Sequence, residues 1–284
     1  MHSFKVAGLL ALTGLVLSGC QTGQQLPTPP AHLESLTKTT HRLSDVPAPA
    51  VPVDVAVYDF PDLTGQAKPN ENFAEYSRAV TQGGANILID VLKSAGRGNW
   101  FRVVERGGLK NLVQERTLIE NTQRAYGKGL PNLPPVRFAG LILEGGIVGY
   151  DSNEQTGGAG ARYLGIGGDV TYRSDLVTIS LRAVSVQTGE ILVSTTTSKQ
   201  IYSFEVRGGA YTFAAPTELL EAEIGTSYND PGHLAVREGM ELAVYSLIVQ
   251  GVKQGLWKLS DQSRAPALIG EFAKTYAKTE RPGS

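Results

Sequence analysis

Residues 202–224 read YSFEVRGGAYTFAAPTELLEAEI, and the spacing of their apolar side chains decides what kind of fold this chain builds. Tyr202, Phe204 and Val206 alternate with Ser203, Glu205 and Arg207; on the return, Leu220, Ala222 and Ile224 alternate with Glu221 and Glu223. A period of two sends successive side chains to opposite faces of a strand, so each arm is greasy on one face and polar on the other. That is the pattern of a strand with lipid on one side and water on the other. A crossing strand needs about 9–11 residues, and each arm is long enough. Ala215-Pro216-Thr217 offers a turn between the arms. Parity slips at Gly208-Gly209, where a β-bulge would return Tyr211 and Phe213 to the apolar face. An amphipathic hairpin packed on its own soluble domain has the same alternation, so the rest of the chain must decide.

A second segment, 157–168, reads GGAGARYLGIGG. A dinucleotide loop needs G-x-G-x-x-G between a strand and a helix. Gly158 and Gly160 fit, but Tyr163 occupies the third position, and no Gly-Lys-Ser or Gly-Lys-Thr of a phosphate loop occurs in the chain. The next residues, Asp169-Val170-Thr171-Tyr172, alternate like a strand. The segment therefore reads as a second ribbon, with Val170 and Tyr172 toward lipid and Asp169 and Thr171 toward a lumen. Glycines let its backbone bend and pack at a barrel wall.

The beginning of the chain supplies the context. Lys5, the apolar run Val6–Leu17 and Leu17-Ser18-Gly19-Cys20 have the layout of a bacterial lipoprotein signal, 1–19, with Cys20 as the acylated N-terminus. Cys20 is the single cysteine, so no internal disulfide exists. Gln21 follows it where sorted lipoproteins carry an aspartate for inner-membrane retention, so the expected destination is the outer membrane. An acyl anchor tethers without spanning. From there to Pro52 the chain is rich in Pro, Thr, Ser and Gln, as an extended leash is, giving a lipid-anchored segment 20–52. Ser35-Leu36-Thr37-Lys38 matches the S-x-x-K of serine acyl enzymes, but no helix aims the lysine there.

The body reads as α/β. Val53–Phe60 and Trp100–Val104 are strands; Ala79–Ala95 and Gly108–Thr122 are helices, the latter burying Leu109, Leu112, Val113 and Leu118. Gly140–Val148 is a third strand; Val177–Val186, a Gln-Thr-Gly turn and Glu190–Thr197 make a hairpin. His233–Trp257 is a long amphipathic helix and Glu271–Thr279 a short one. The organisation expected is a first domain part 53–153, ribbon 154–174, domain hairpin 175–198, ribbon 199–228, and a helical part 229–284. The fold class is thus an α/β (α+β) domain with two inserted amphipathic β-hairpins.

Two ribbons cannot sit in hydrocarbon with open edges, because every backbone amide there must be paired. Neighbouring copies must close the wall, which implies a cyclic, head-to-tail oligomer and a large transmembrane β-barrel. With 26 basic against 27 acidic residues there is no electrostatic footprint for nucleic acid. Catalysis finds no H-E-x-x-H, C-x-x-C or G-x-S-x-G, so no enzyme, cofactor or metal site is expected. The rival to a pore is a tethered periplasmic adaptor that binds a partner through its hairpins.

Asp62–Gln66, Ala79–Gln82, Val104–Arg106, Gly145–Asn153, Gly157–Gly167, Thr188–Leu192 and Gly255–Trp257 resemble the CsgG family, outer-membrane lipoproteins that secrete curli subunits. The resemblance implies a ring of about nine copies, a barrel in the class of the largest known, and passive export of unfolded subunits. It also implies a periplasmic capping protein and an extracellular nucleation factor as partners. In that family a loop after the first strand narrows the channel with a Tyr, an Asn and a Phe. Here the loop, 66–77, carries one inserted residue. Anchored on Ser77, Tyr76 and Glu75 take the Phe and Asn places; matched by residue type, Phe73 and Asn72 do, with Asn70 a further polar member. Asp169, Glu205, Glu221 and Glu223 would line the lumen, and Val170, Tyr172, Tyr202, Phe204, Val206, Tyr211, Phe213, Leu220 and Ile224 would face lipid.

Overall fold

Val53–Val57 (β1) is the strand around which the sheet is laid, with Val55, Ala56 and Val57 all buried. The structure, a computed structural model, describes residues 37–64, 80–127, 132–156, 171–206, 210–214 and 231–276. β1 pairs in parallel with Phe101–Val104 (β2), Val53 opposite Phe101, and with Leu141–Thr156 (β3), Val55 opposite Leu141. Thr171–Ser185 (β4), Ile191–Val206 (β5) and Ala210–Ala214 (β6) add on antiparallel, giving the order β2-β1-β3-β4-β5-β6. Parallel neighbours need a crossover. The connection from β1 to β2 contains a helix for that purpose. The described helices are α1 (Lys38–Ser44), α2 (Gly84–Ser94), α3 (Leu109–Tyr126), α4 (Pro231–Gln254) and α5 (Ala265–Tyr276).

α2 buries Ile87, Leu88, Val91 and Leu92, the stripe its sequence foretells, but it starts at Gly84. There the chain presses so close to Phe60 that a Cβ would stand 2.4 Å from its carbonyl oxygen. It ends at Ser94 because Gly96 turns to a φ of +56°, a backbone conformation that L side chains rarely adopt.

α4 departs from expectation. It lies across β4 and β5 on one side and meets α1, α2 and α5 on the others, so Val236, Met240, Val244, Leu247 and Ile248 are buried around much of its circumference. A helix sandwiched in this way has no need of a polar face. It approaches the sheet closely at Gly239, where Thr197 Oγ1 donates to the Gly239 carbonyl at 2.8 Å. A Cβ there would lie 2.8 Å from Ile179 Cδ1.

α3 departs in the other direction. None of its residues is buried, and Val113 and Leu118, expected in the core, are 51% and 58% exposed. Amphipathic spacing says that a face seeks cover, not that this chain supplies it. The C-terminal helix spans Ala265–Tyr276 instead of 271–279; its aromatic residues Phe272 and Tyr276 stack with Tyr245 of α4, ring centroids 5.7 and 6.4 Å away. The described residues contain no helix long and apolar enough to cross a membrane.

Candidate functional site

β3, β4 and β5 run for 16, 15 and 16 residues. Strands of globular domains usually end at about 5–6. One end of this three-strand ladder belongs to the body, where Leu143, Ile147, Val177, Ile179, Leu181 and Val193 are buried and β4 and β5 pack on α4. Pairing then continues without a break, from Tyr150 opposite Val177 to Thr156 opposite Thr171, and from Asp175 opposite Ile201 to Tyr172 opposite Phe204. The ribbons are therefore continuations of the domain's own strands, not hairpins set beside them.

At this level the apolar row changes face. In β4 the buried residues of the body are odd-numbered, Val177, Ile179, Leu181 and Ala183; in β5 they are Val193, Thr195, Thr197 and Ile201. Beyond it the apolar residues are even-numbered, Tyr172 in β4 and Tyr202, Phe204 and Val206 in β5. The β4–β5 register shifts only between Ala183 and Val184, so the exchange of rows is real. Directly opposed residues share a face. Tyr172 opposite Phe204, and Ser174 opposite Tyr202, therefore place these three aromatics in one row, while Glu205 falls in the alternate row.

The second ribbon corrects the expected turn. β6 pairs antiparallel with β5 from Val206 opposite Ala210 to Tyr202 opposite Ala214, so the chain has already reversed by Ala210, ahead of the turn expected at 215–217, which lies outside the described residues. The register sets Tyr211 opposite Glu205 and Phe213 opposite Ser203, in the alternate row and out of step with Tyr202 and Phe204.

Polar groups are matched where ribbon meets body. Tyr150 Oη donates to Asp175 Oδ1 at 3.0 Å, Gln200 Nε2 donates to Ser174 Oγ at 2.7 Å, and Lys199 pairs with Glu238 of α4. Thr195 and Ser246 share a hydrogen bond of 3.0 Å beneath them.

Asn70, Asn72, Phe73, Glu75 and Tyr76 lie outside the described residues, but both roots of their segment are described. Leu63 N donates to Ile147 O at 2.8 Å and Ile147 N to Pro61 O at 3.0 Å, fastening the segment's start to β3. Asp62 Oδ1 accepts from Thr64 N at 2.9 Å and Thr64 Oγ1 at 2.6 Å, and Asp62 Oδ2 accepts from Val80 N at 2.5 Å. One carboxylate thus holds both roots. Nothing in the motif that contains Asp62 announces this; the only local hint is an Asp two residues before a Thr at a chain turn.

A second carboxylate is equally silent in the sequence. Glu241 of α4 is fully buried, accepting from Thr40 Oγ1 at 2.6 Å and Thr37 Oγ1 at 2.8 Å, with Arg237 Nε 3.4 Å away. Thr37 also caps α1. Burial pushes the Glu241 carboxyl above its ordinary range, against the opposing pull of the Thr40 and Thr37 hydroxyls and Arg237. The network pins α1 to α4, so residues 38–44, expected from the sequence as part of an extended leash without a helix at Lys38, form a helix tied to the core. Cys20, Asp169, Val170, Leu220, Glu221, Glu223 and Ile224 lie outside the described residues. Among those described, no cluster of three His, Cys, Asp or Glu side chains could hold a metal.

These features define a class: an α/β domain, one face of its sheet covered by helices, whose middle strands are prolonged into ribbons with their apolar residues at the alternate register positions. Residues 37–269 match the family model of the curli production assembly/transport component CsgG, and the chain belongs to that family. It is 38% identical over 258 residues to the component from Salmonella typhimurium strain LT2, covering 90% of this chain and 92% of the relative. It is 38% identical over 257 residues to that from Escherichia coli K12, covering 89% and 91%. Among solved structures, the PelC dodecamer from Paraburkholderia phytofirmans aligns over 71% of this chain and 90% of its own at 9% identity, with a TM-score of 0.29.

Proposed function

We propose that the chain is the protomer of an outer-membrane secretion channel through which unfolded curli subunits diffuse outward without ATP. The observation that carries this reading is the exchange of apolar rows along β4 and β5, whose register is continuous from Ala183 to Tyr172. A face that turns away from its own helices halfway along a strand is suited to an apolar solvent. Backbone pairing in hydrocarbon demands a closed wall. Four strands from each of about nine copies give about 36, the size of the largest barrels known. Acyl chains on Cys20 hold the ring at the outer membrane. Asn70, Asn72, Phe73, Glu75 and Tyr76 furnish the collar. Asp169, Glu205, Glu221 and Glu223 line the lumen and repel acidic chains. A periplasmic capping protein encloses the subunit, whose conformational entropy then favours exit toward an extracellular nucleation factor.

Reconstitution of the lipidated protein into planar bilayers tests the reading. Discrete conductance steps are expected, larger for Tyr76→Ala. A Cys20→Ser chain that is a stable, water-soluble monomer and leaves liposomes intact refutes the channel and leaves the tethered adaptor.

A further inference from the structure

We infer that α3 is the lateral clamp of the protomer: its uncovered apolar face docks on a second copy of this chain, against the flank where β5 is the outermost strand of that copy's body. The inference rests on the channel reading, in which copies stand side by side in a ring.

α3 follows the edge strand β2 after residues 105–108, and none of the other described helices or strands lies along it. At 3.6 residues per turn, Leu109, Leu112, Val113, Ile119 and Tyr126 fall within an arc of about 140°, wide enough for a face that packs on another element. Not one of them is buried, and Val113 and Tyr126, at the two borders of the arc, are 51% and 87% exposed. The chain's own cover is the return segment, residues 132–140, held where Arg116 donates to the Pro134 carbonyl at 2.5 Å and Arg106 to the Arg137 carbonyl at 3.0 Å. It leaves the face open and adds Phe138, 84% exposed. Helices in proteins owe their stability mostly to the packing of such a face, so α3 calls for a partner that the protomer does not supply.

The sheet order says which partner. Residues 150–156 of β3 pair with β4 on one side; on the other they have no partner among the described residues, since β1 pairs with β3 only along Leu141–Leu143. In hydrocarbon that open edge must be closed by a strand of the next copy. The edge lies on the β1–β2 side of β3, the end of the sheet from which α3 departs. The copy that closes the ribbon therefore stands on the flank of α3. A head-to-tail ring turns the opposite flank of that copy toward it. There β6 reaches only Tyr202–Val206 of β5, so residues 191–199 have a free edge among the described residues, and Ile191 at its start is 51% exposed.

The test uses the full, lipidated protein in detergent, with ring size followed by analytical ultracentrifugation on dilution. Val113→Gln combined with Tyr126→Gln keeps good helix formers in α3. It is expected to raise the concentration at which half of the rings dissociate by about tenfold or more, the loss of apolar burial at two positions. Leu118 is 58% exposed but projects about 180° round the helix from Leu109, so Leu118→Gln is the matched control and leaves that concentration at wild type. A wild-type value for the double variant overturns the inference, and so does an equal rise for Leu118→Gln, which marks damage to the helix and not loss of its face. Should the double variant fail to fold, a photo-crosslinking amino acid in place of Val113 decides: covalent ladders joined to residues 191–199 of another copy support the clamp, and cross-links to any other protein or any other part of the copy overturn it. Wild-type protein that sediments as a monomer at every concentration refutes the channel reading and the clamp with it, whereas rings that survive in the double variant refute the clamp alone.

Discussion

The helix-covered half of β4 and β5 and their far half share one backbone and one register, yet they place their apolar residues in opposite rows. Beneath α4, Val177, Ile179, Leu181 and Ala183 interlock with a helix that the same chain provides. Farther on, Tyr172, Tyr202 and Phe204 fall in the alternate row of the same register. The covered half is finished within one protomer. In the proposed channel the far half belongs to a wall shared between copies and lipid, so stability and assembly would be written into different lengths of the same strands, and substitutions can separate them.

The largest effect belongs to the covered half. Ile179→Ala removes a fully buried side chain that packs on Gly239 and is expected to cost about 2–5 kcal/mol, read as a shift of the urea unfolding midpoint in detergent. A cost no larger than that of a surface substitution would show that the covered half is not the autonomous core, and the contrast would fall.

Next comes the buried acid that joins α1 to α4. Glu241→Leu removes the acceptor of the Thr37 and Thr40 hydroxyls and the partner of Arg237, at a cost of about 1–3 kcal/mol. Because burial holds the folded pKa above the ordinary value of 4.5, the folded state keeps its proton more tightly than the unfolded one. Stability from this group is fully present below 4.5 and is lost as pH rises through the folded pKa. Unfolding of wild type at a series of pH values should therefore show a decline across that window, and Glu241→Gln should flatten it. A wild-type curve that rises there would mean that the hydroxyls and Arg237 outweigh burial.

The same contrast explains what the sequence disclosed. The strand Val53–Val57 was legible from its β-branched run, though consecutive residues of it are buried, and the stripe Ile87, Leu88, Val91, Leu92 because its period states which face is buried. The turn at Gln187-Thr188-Gly189 was legible too, with Gly189 at a φ of +72°. Period fails when an element is enclosed on several sides, as α4 is, or when its cover lies elsewhere, as the exposed Val113 and Leu118 of α3 indicate. Asp62 and Glu241 were illegible for another reason. Their partners are 18 and about 200 residues away, so only the fold brings donor and acceptor together.

A smaller effect is expected on the uncovered face of the body, where Arg182 Nη2 meets Glu144 Oε2 at 2.8 Å with both side chains close to half exposed. An exposed pair of this kind contributes about 0–1 kcal/mol, screened by salt. Arg182→Ala should shift the midpoint by no more than that, and less in high salt. A larger, salt-insensitive loss would reveal that the face is covered in the assembled protein, extending the shared wall down onto the body.

The smallest effect on stability is the most telling one. Phe204 stands opposite Tyr172 in the far row, and Phe204→Ser removes apolar character from that row while touching nothing beneath α4. Hydrogen exchange at the Ile179 and Leu181 amides should stay within about 0.5 kcal/mol of wild type, as for a substitution away from the core. Channel formation in bilayers should nevertheless be lost, since a hydroxyl at a lipid-facing position costs far more in hydrocarbon than in water. If exchange at Ile179 rises in parallel with the loss of channels, the two halves are one cooperative unit and the separation of stability from assembly is wrong. If exchange is unmoved and channels persist, Phe204 does not meet lipid, and the even-numbered row must face a protein surface instead.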